Sequence, residues 1–194
     1  MRQAITTIKQ VIIAIILMLS SMQAIAQDNQ IEPNRKGFVI GVSAGAGYLS
    51  IEGDAAPSTF EDGGLPFPNL KIGWMINPKT ALLLSIPGMG YEIDGVDRSF
   101  DSVVPSIQYW LRPKWWVNVG FGLGMDSVAF YEDDHGQDKL NVGPAGMIST
   151  GFEIYKRGKF TIDLQGTIHA GQMYTGGDHY DAGALLAGVG FNFY

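Results

Sequence analysis

Phe160-Thr161-Ile162-Asp163-Leu164-Gln165-Gly166-Thr167-Ile168-His169-Ala170 alternates between two kinds of residue. Phe160, Ile162, Leu164, Gly166, Ile168 and Ala170 fall on one side of an extended chain. Thr161, Asp163, Gln165, Thr167 and His169 fall on the other. A period of two belongs to a β-strand, whose successive side chains leave opposite faces. Working outward, Trp115, Val117, Val119, Phe121, Leu123 and Met125 alternate with Trp116, Asn118, Gly120, Gly122, Gly124 and Asp126. Val103, Ile107, Tyr109 and Leu111 alternate with Ser102, Ser106, Gln108 and Trp110. Phe38, Ile40, Val42, Ala44, Ala46 and Tyr48 alternate with Gly41, Ser43, Gly45 and Gly47, and Leu185, Ala187, Val189, Phe191 and Phe193 with Gly188, Gly190 and Asn192.

One face of each strand is apolar and the other is glycine or polar. A soluble barrel would turn the apolar face inward and leave bare glycine outside, where it packs nothing and loses the most entropy. The inverse assignment fits a membrane barrel. Eight strands leave an interior just wide enough for side chains to fill, and glycines there make room for Gln108, Trp110, Trp116, Gln165 and His169. The pattern predicts eight strands over 37–51, 68–76, 80–91, 99–111, 115–130, 140–155, 159–174 and 182–194. Most reach the roughly 9–11 tilted residues that cross a bilayer. Tight turns at 77–79, 112–114 and 156–158 alternate with longer connections at 52–67, 92–98, 131–139 and 175–181. Short turns on one side and long loops on the other are the layout of outer-membrane barrels, with both termini periplasmic.

Charge sorts the same way. Glu52, Asp54, Glu61, Asp62, Glu92, Asp94, Asp97, Asp101, Glu132, Asp133, Asp134, Asp138, Asp178 and Asp181 lie in the long loops or their margins, opposed by Arg98 and Lys139. Arg35, Lys36, Lys79, Arg112, Lys114, Lys156, Arg157 and Lys159 lie at the short-turn side. Trp74, Tyr109, Trp115, Tyr155, Phe160, Phe193 and Tyr194 suit an aromatic belt at that interface.

Arg2 and Lys9, the apolar run Val11 to Leu19 and Ala24-Ile25-Ala26 compose a signal peptide, expected to be cleaved after Ala26. The apolar run is far shorter than the roughly 20 residues of a spanning helix. The expected organisation is a signal peptide at 1–26, a polar periplasmic lead-in at 27–36 and the barrel at 37–194. The 194 residues carry 13 basic and 19 acidic side chains. Losing Arg2 and Lys9 leaves 11 − 19 = −8, a poor balance for nucleic acid. Cysteine is absent, which excludes disulfides, thiolate metal sites, a Cys nucleophile and a lipoprotein anchor.

The signal peptide, the eight strands and the aromatic end Phe191-Asn192-Phe193-Tyr194 resemble the small outer-membrane barrels of the OmpA, OmpX and OmpW type. The resemblance implies an eight-stranded antiparallel transmembrane barrel in the outer membrane. It implies lipid and lipopolysaccharide as surroundings, and the barrel-insertion machinery and periplasmic chaperones as assembly partners. Phe191, Phe193 and Tyr194 would form the insertion signal, with Tyr in place of the commoner terminal Phe. No peptidoglycan-binding domain is expected after the last strand.

The lumen phase contains Lys71, Gln108, Asn118, Asp126, Glu153, Asp163, Gln165 and His169. Glu153 and Asp163 flank the 156–158 turn and should be neighbours. They read either as an acid pair on a proton or cation path, or as part of a polar network that fills the lumen. Buried charges normally pair, so Lys71 is expected to meet Glu153, Asp163 or Asp126. Glu132, Asp133, Asp134 and Asp138 offer oxygens for a surface cation that could bridge to lipopolysaccharide, without the spacing of a calcium loop. No cofactor is implied. Gly-x-Ser-x-Gly is missing and His169 is followed by Ala170-Gly171, so a lipid A hydrolase lacks its signature. The expected function is a structural or surface-interaction barrel with a plugged lumen. The alternatives are a narrow pore for small solutes and a lipid-modifying enzyme.

Overall fold

The computed structural model describes residues 35–53, 56, 60–64, 68–93, 95–129 and 140–194. The signal peptide, most of the lead-in and the acidic stretch 131–139, with Glu132, Asp133, Asp134 and Asp138, lie outside the described residues. The strands are β1 (Gly37–Glu52), β2 (Phe60–Gly64), β3 (Asn69–Asn77), β4 (Thr80–Ile86), β5 (Gly88–Ile93), β6 (Val96–Arg112), β7 (Trp115–Val128), β8 (Asn141–Arg157), β9 (Phe160–Thr175) and β10 (Asp178–Phe193). All pairings are antiparallel. β1, β3, β4, β6, β7, β8, β9 and β10 follow one another around the sheet, and β10 pairs back onto β1 from Ile40↔Phe193 to Glu52↔Asp181. The ring therefore closes on eight strands. β2 extends the second stave along β1 beyond β3, and β5 extends the third along β6 beyond β4.

The break between β4 and β5 falls at Pro87, which has no N–H for a ladder bond but whose carbonyl accepts from Ser102 N at 2.9 Å. The described pairing along the second stave is in two parts. β1 leaves β3 at Ser43↔Asn69 and meets β2 only at Gly47↔Gly64.

Two connections expected to be long are short. β9 and β10 are joined by Gly176 and Gly177, with φ of 60° and 98°. Positive φ at both central residues is the two-residue hairpin that matches strand twist, and glycine adopts it without strain. Between Ile93 and Val96 the chain reverses through Gly95 at φ 78°. The strands simply run further than their apolar alternation does, because toward the long-connection end the outward residues turn polar while pairing continues.

The facing follows the expected phase. Phe121 is 71% exposed, Ile168 55% and Leu164 44%, while Trp110 and Trp116 are at 2% and 1%. The strands with less decisive patterns agree: Leu82, Leu84, Ile148 and Ile154 face out, and Ala81, Leu83, Met147 and Ser149 face in. Apolar side chains outside, with the charged and amide groups buried inside among apolar ones, is the arrangement for a sheet that has lipid, not water, around it. Trp74, Tyr109, Tyr155, Phe160 and Phe193 lie exposed near the short turns, as a belt requires. Tyr194 does not join them. Its ring is buried, one residue out of phase with Phe193, and sits inside the barrel.

Candidate functional site

The interior is built in three tiers. The tier nearest the short turns begins with Trp110 on β6 and Trp116 on β7, directly paired, and Glu153 on β8 opposite Asp163 on β9. The two acids are thus neighbours, as expected from the turn between them. Like charges placed opposite one another are destabilising unless something answers them. For Glu153 the answer comes from Arg35. Its Nη2 lies 2.9 Å from both carboxylate oxygens and its Nε 3.2 Å from Oε1. Nη2 also donates to the Pro113 carbonyl at 2.6 Å. The guanidinium lies 4.3 Å from the Trp110 ring centroid, and Trp110 Nε1 donates to Glu153 Oε1 at 2.8 Å. Tyr194 packs edge-on to Trp110 at 5.2 Å. Asp163 accepts on Oδ2 from Trp116 Nε1 at 3.0 Å and Asn192 Nδ2 at 2.8 Å, while its buried Oδ1 has no protein donor.

Glycine makes this tier possible. A Cβ on Gly151 would press into the Trp116 indole. One on Gly41 would meet Asn192 Oδ1 at 2.5 Å.

The middle tier is hydroxyl- and amide-rich. Ser85 and Ser106 share a hydrogen bond of 2.9 Å, Asn118 Nδ2 donates to Ser85 Oγ at 3.2 Å, and Ser149 bonds Thr167 at 2.8 Å. Lys71 enters here. Its ammonium donates to Gln108 Oε1 at 3.2 Å and lies 4.4 Å from the Trp116 ring centroid. The expected ion pair of Lys71 with an acid is therefore replaced by an amide and an aromatic face. A cavity of about 30 Å³, lined by Lys71, Ser85, Asn118, Ser149, Gln165 and Asn192 among others, adjoins it. Asn118 Oδ1 has no protein partner. That volume is room for water, which needs roughly 10–15 Å³ per molecule.

The tier nearest the long loops centres on Asp126 of β7. Its Oδ1 accepts from the Tyr91 hydroxyl at 2.6 Å and Arg98 Nη2 at 3.2 Å, and Tyr180 donates to Oδ2. Asn141 Nδ2 in turn donates to the Tyr180 oxygen at 3.0 Å. Leu49, Ile51, Met89, Phe100, Met173 and Leu186 pack around this cluster. Arg98, expected in a loop among exposed acids, is instead a buried lumen cation, because β6 begins at Val96 and carries it in the same phase as Phe100 and Ser102.

All eight sequence-predicted lumen residues thus face inward, Lys71 and Gln165 half-buried and the others buried. The two cations that pair with their acids, Arg35 and Arg98, were not among them. Arg98 was legible from the parity of β6. Arg35 carried no strand signal at all. Phe191 and Phe193 of the expected insertion signal are exposed on the outer face, and Tyr194 is buried in the lumen.

Ser102 Oγ lies 3.2 Å from His169 Nδ1, a serine–histidine contact that the sequence had not indicated. Both side chains are fully buried, the imidazole is stacked on Phe100 at 4.8 Å, and His169 Nε2 has no partner. Neither side chain is exposed, and among the described residues no acid orients the ring. Among the described residues no cluster of His, Asp and Glu is arranged to hold a metal.

No protein family matches the chain, and no curated protein matches its sequence. Solved structures do. Ail, the attachment invasion locus protein of Yersinia pestis, superposes with a TM-score of 0.52 at 17% identity, covering 82% of this chain and all of Ail. Ail in complex with the heparin analogue sucrose octasulfate gives 0.50 at 18% identity, covering 82% of this chain and 100% of Ail. Neisserial surface protein A gives 0.55 at 12% identity, covering 81% of this chain and 96% of that one. The inside-out closed sheet and these superpositions agree: the chain has the fold of the small eight-stranded outer-membrane β-barrels.

Proposed function

We propose that the chain is an outer-membrane barrel whose own side chains close its lumen, and that it serves as a structural or surface-interaction element rather than a channel. Both termini lie in the periplasm in this reading, and the acidic loops face outward. The observation that carries it is the pair of buried clusters at opposite ends of the interior, Arg35–Glu153–Trp110 and Arg98–Asp126–Tyr91–Tyr180. The first ties Arg35 to two strands, the second ties four together, and the cavities described between them are about 30 and 10 Å³. An eight-stranded wall leaves little more. Exposed Glu52, Glu92, Asp178 and Asp181 give the loop end an acidic rim. Such a rim favours basic or cation-bridged surface partners, unlike the sulfated ligand bound to Ail. Lipopolysaccharide phosphates would meet it through divalent cations.

Planar-bilayer recording of the reconstituted protein tests the closed lumen. Silence is expected. A large, steady conductance would instead make the chain a pore for small solutes.

A further inference from the structure

Among the described residues the exposed charges of the short-turn rim are of one sign. Lys36, Lys79, Arg112, Lys114, Arg157 and Lys159 are all exposed there. The described acids of this end, Glu153 and Asp163, are turned into the lumen and buried. Glu153 is already matched by Arg35, so these acids do not answer the rim. The rim also lies at a defined depth. Trp74, Tyr109, Tyr155, Phe160 and Phe193 are exposed beside the turns, and exposed aromatic rings of this kind settle at headgroup level. Lys114 directly precedes Trp115, Arg112 pairs with Trp115 across the β6–β7 hairpin, and the Lys159 ammonium lies 5.6 Å from the Phe193 ring centroid. The cations therefore stand where the phosphates of the adjoining leaflet must be.

We infer that this rim is a binding girdle for anionic phospholipid headgroups. The inference rests on the membrane placement proposed above and adds a lipid preference to it. Each cation near an anionic surface contributes about 1 kcal/mol, or about fivefold in association, before screening. Several shared among a few headgroups give a selective annulus. The described residues of the opposite rim, with exposed Glu52, Glu92, Asp178 and Asp181, offer no such attraction, so the preference is assigned to one leaflet.

Trp74 and Trp115 sit next to the cations and report locally. The full-length protein is reconstituted in phosphatidylcholine vesicles containing a minority of brominated phosphatidylglycerol or of brominated phosphatidylcholine, and tryptophan quenching is compared at low salt. Brominated phosphatidylglycerol is expected to quench with at least about a fivefold higher relative association constant, and the advantage should vanish at high salt. The quadruple variant Arg112→Gln, Lys114→Gln, Arg157→Gln, Lys159→Gln should bring the ratio close to one while retaining the gel shift of a folded barrel. Equal quenching by the two lipids in the wild type overturns the girdle but leaves the barrel embedded. An unchanged ratio in a folded quadruple variant overturns it as well. Loss of the ratio with phosphate but not with chloride at matched ionic strength would reassign the rim to free phosphate. Absence of quenching by either lipid removes the membrane placement itself.

Discussion

Arg35→Met should be among the most damaging single changes in the molecule, although Arg35 precedes the first strand. The side chain makes three contacts with Glu153, a fourth with the Pro113 carbonyl, and covers the Trp110 ring. Its removal leaves Glu153 with Trp110 Nε1 as its donor and with Asp163 directly opposite. Breaking a buried ion pair from one side typically costs about 3–5 kcal/mol, because the surviving charge stays desolvated. Glu153→Gln should cost a comparable amount by stranding the guanidinium. The double variant should be far less damaging than the sum, with a coupling of about 2–3 kcal/mol, since neither charge is then left alone. The assay is urea unfolding in lipid vesicles, followed by tryptophan fluorescence and by the gel mobility of the folded form. Additive single costs, or an Arg35→Met loss below about 1 kcal/mol, would show that the guanidinium is solvated and does not hold the barrel floor.

Leu164→Arg should destabilise by about 2–4 kcal/mol if it meets the bilayer midplane, and Gln165→Arg by less, since Gln165 borders the interior cavity; urea titration in lipid giving the reverse order would invert the facing. Gly151→Val should cost at least about 1–3 kcal/mol and shift tryptophan emission, because the new side chain must displace the Trp116 indole; an unperturbed spectrum and stability would contradict that packing. Lys71→Met should cost less than Arg35→Met, because Lys71 is held by an amide and a ring rather than a carboxylate; an equal loss in the same titration would restore it as the central lumen cation. The folded barrel should run at a different apparent mass before and after boiling in detergent, as closure pairs every stave with its neighbours; identical migration would count against a closed sheet.

Periodicity was enough to place the eight staves, their facing and part of the set that fills the lumen. The reason is geometric: each strand has only two faces, and in lipid the apolar face has only one place to go. The same parity rule would have found Arg98, had β6 been extended back from residue 99 to Val96, and it would have turned Tyr194 inward rather than into the belt. Polarity misled there, because strands continue past the bilayer into stretches whose outward residues are no longer apolar. The Gly176-Gly177 reversal was visible as composition but not as a hairpin, since pairing from Asp178↔Thr175 onward depends on the neighbouring staves.

What no local pattern could supply was the pairing of charges. Lys71, Arg35 and Arg98 are far apart along the chain from Glu153, Asp163 and Asp126. Which cation reaches which carboxylate depends on stave order, on the stagger between strands and on the height at which each side chain enters the lumen. Closure of β10 onto β1 brings the residues just before β1 to the floor of the barrel, and only then does Arg35 lie under Glu153. The sequence by itself determined an inside-out sheet with a polar interior. The tertiary structure decided the electrostatics of that interior, because an ion pair is a relation between strands and alternation describes only one strand at a time.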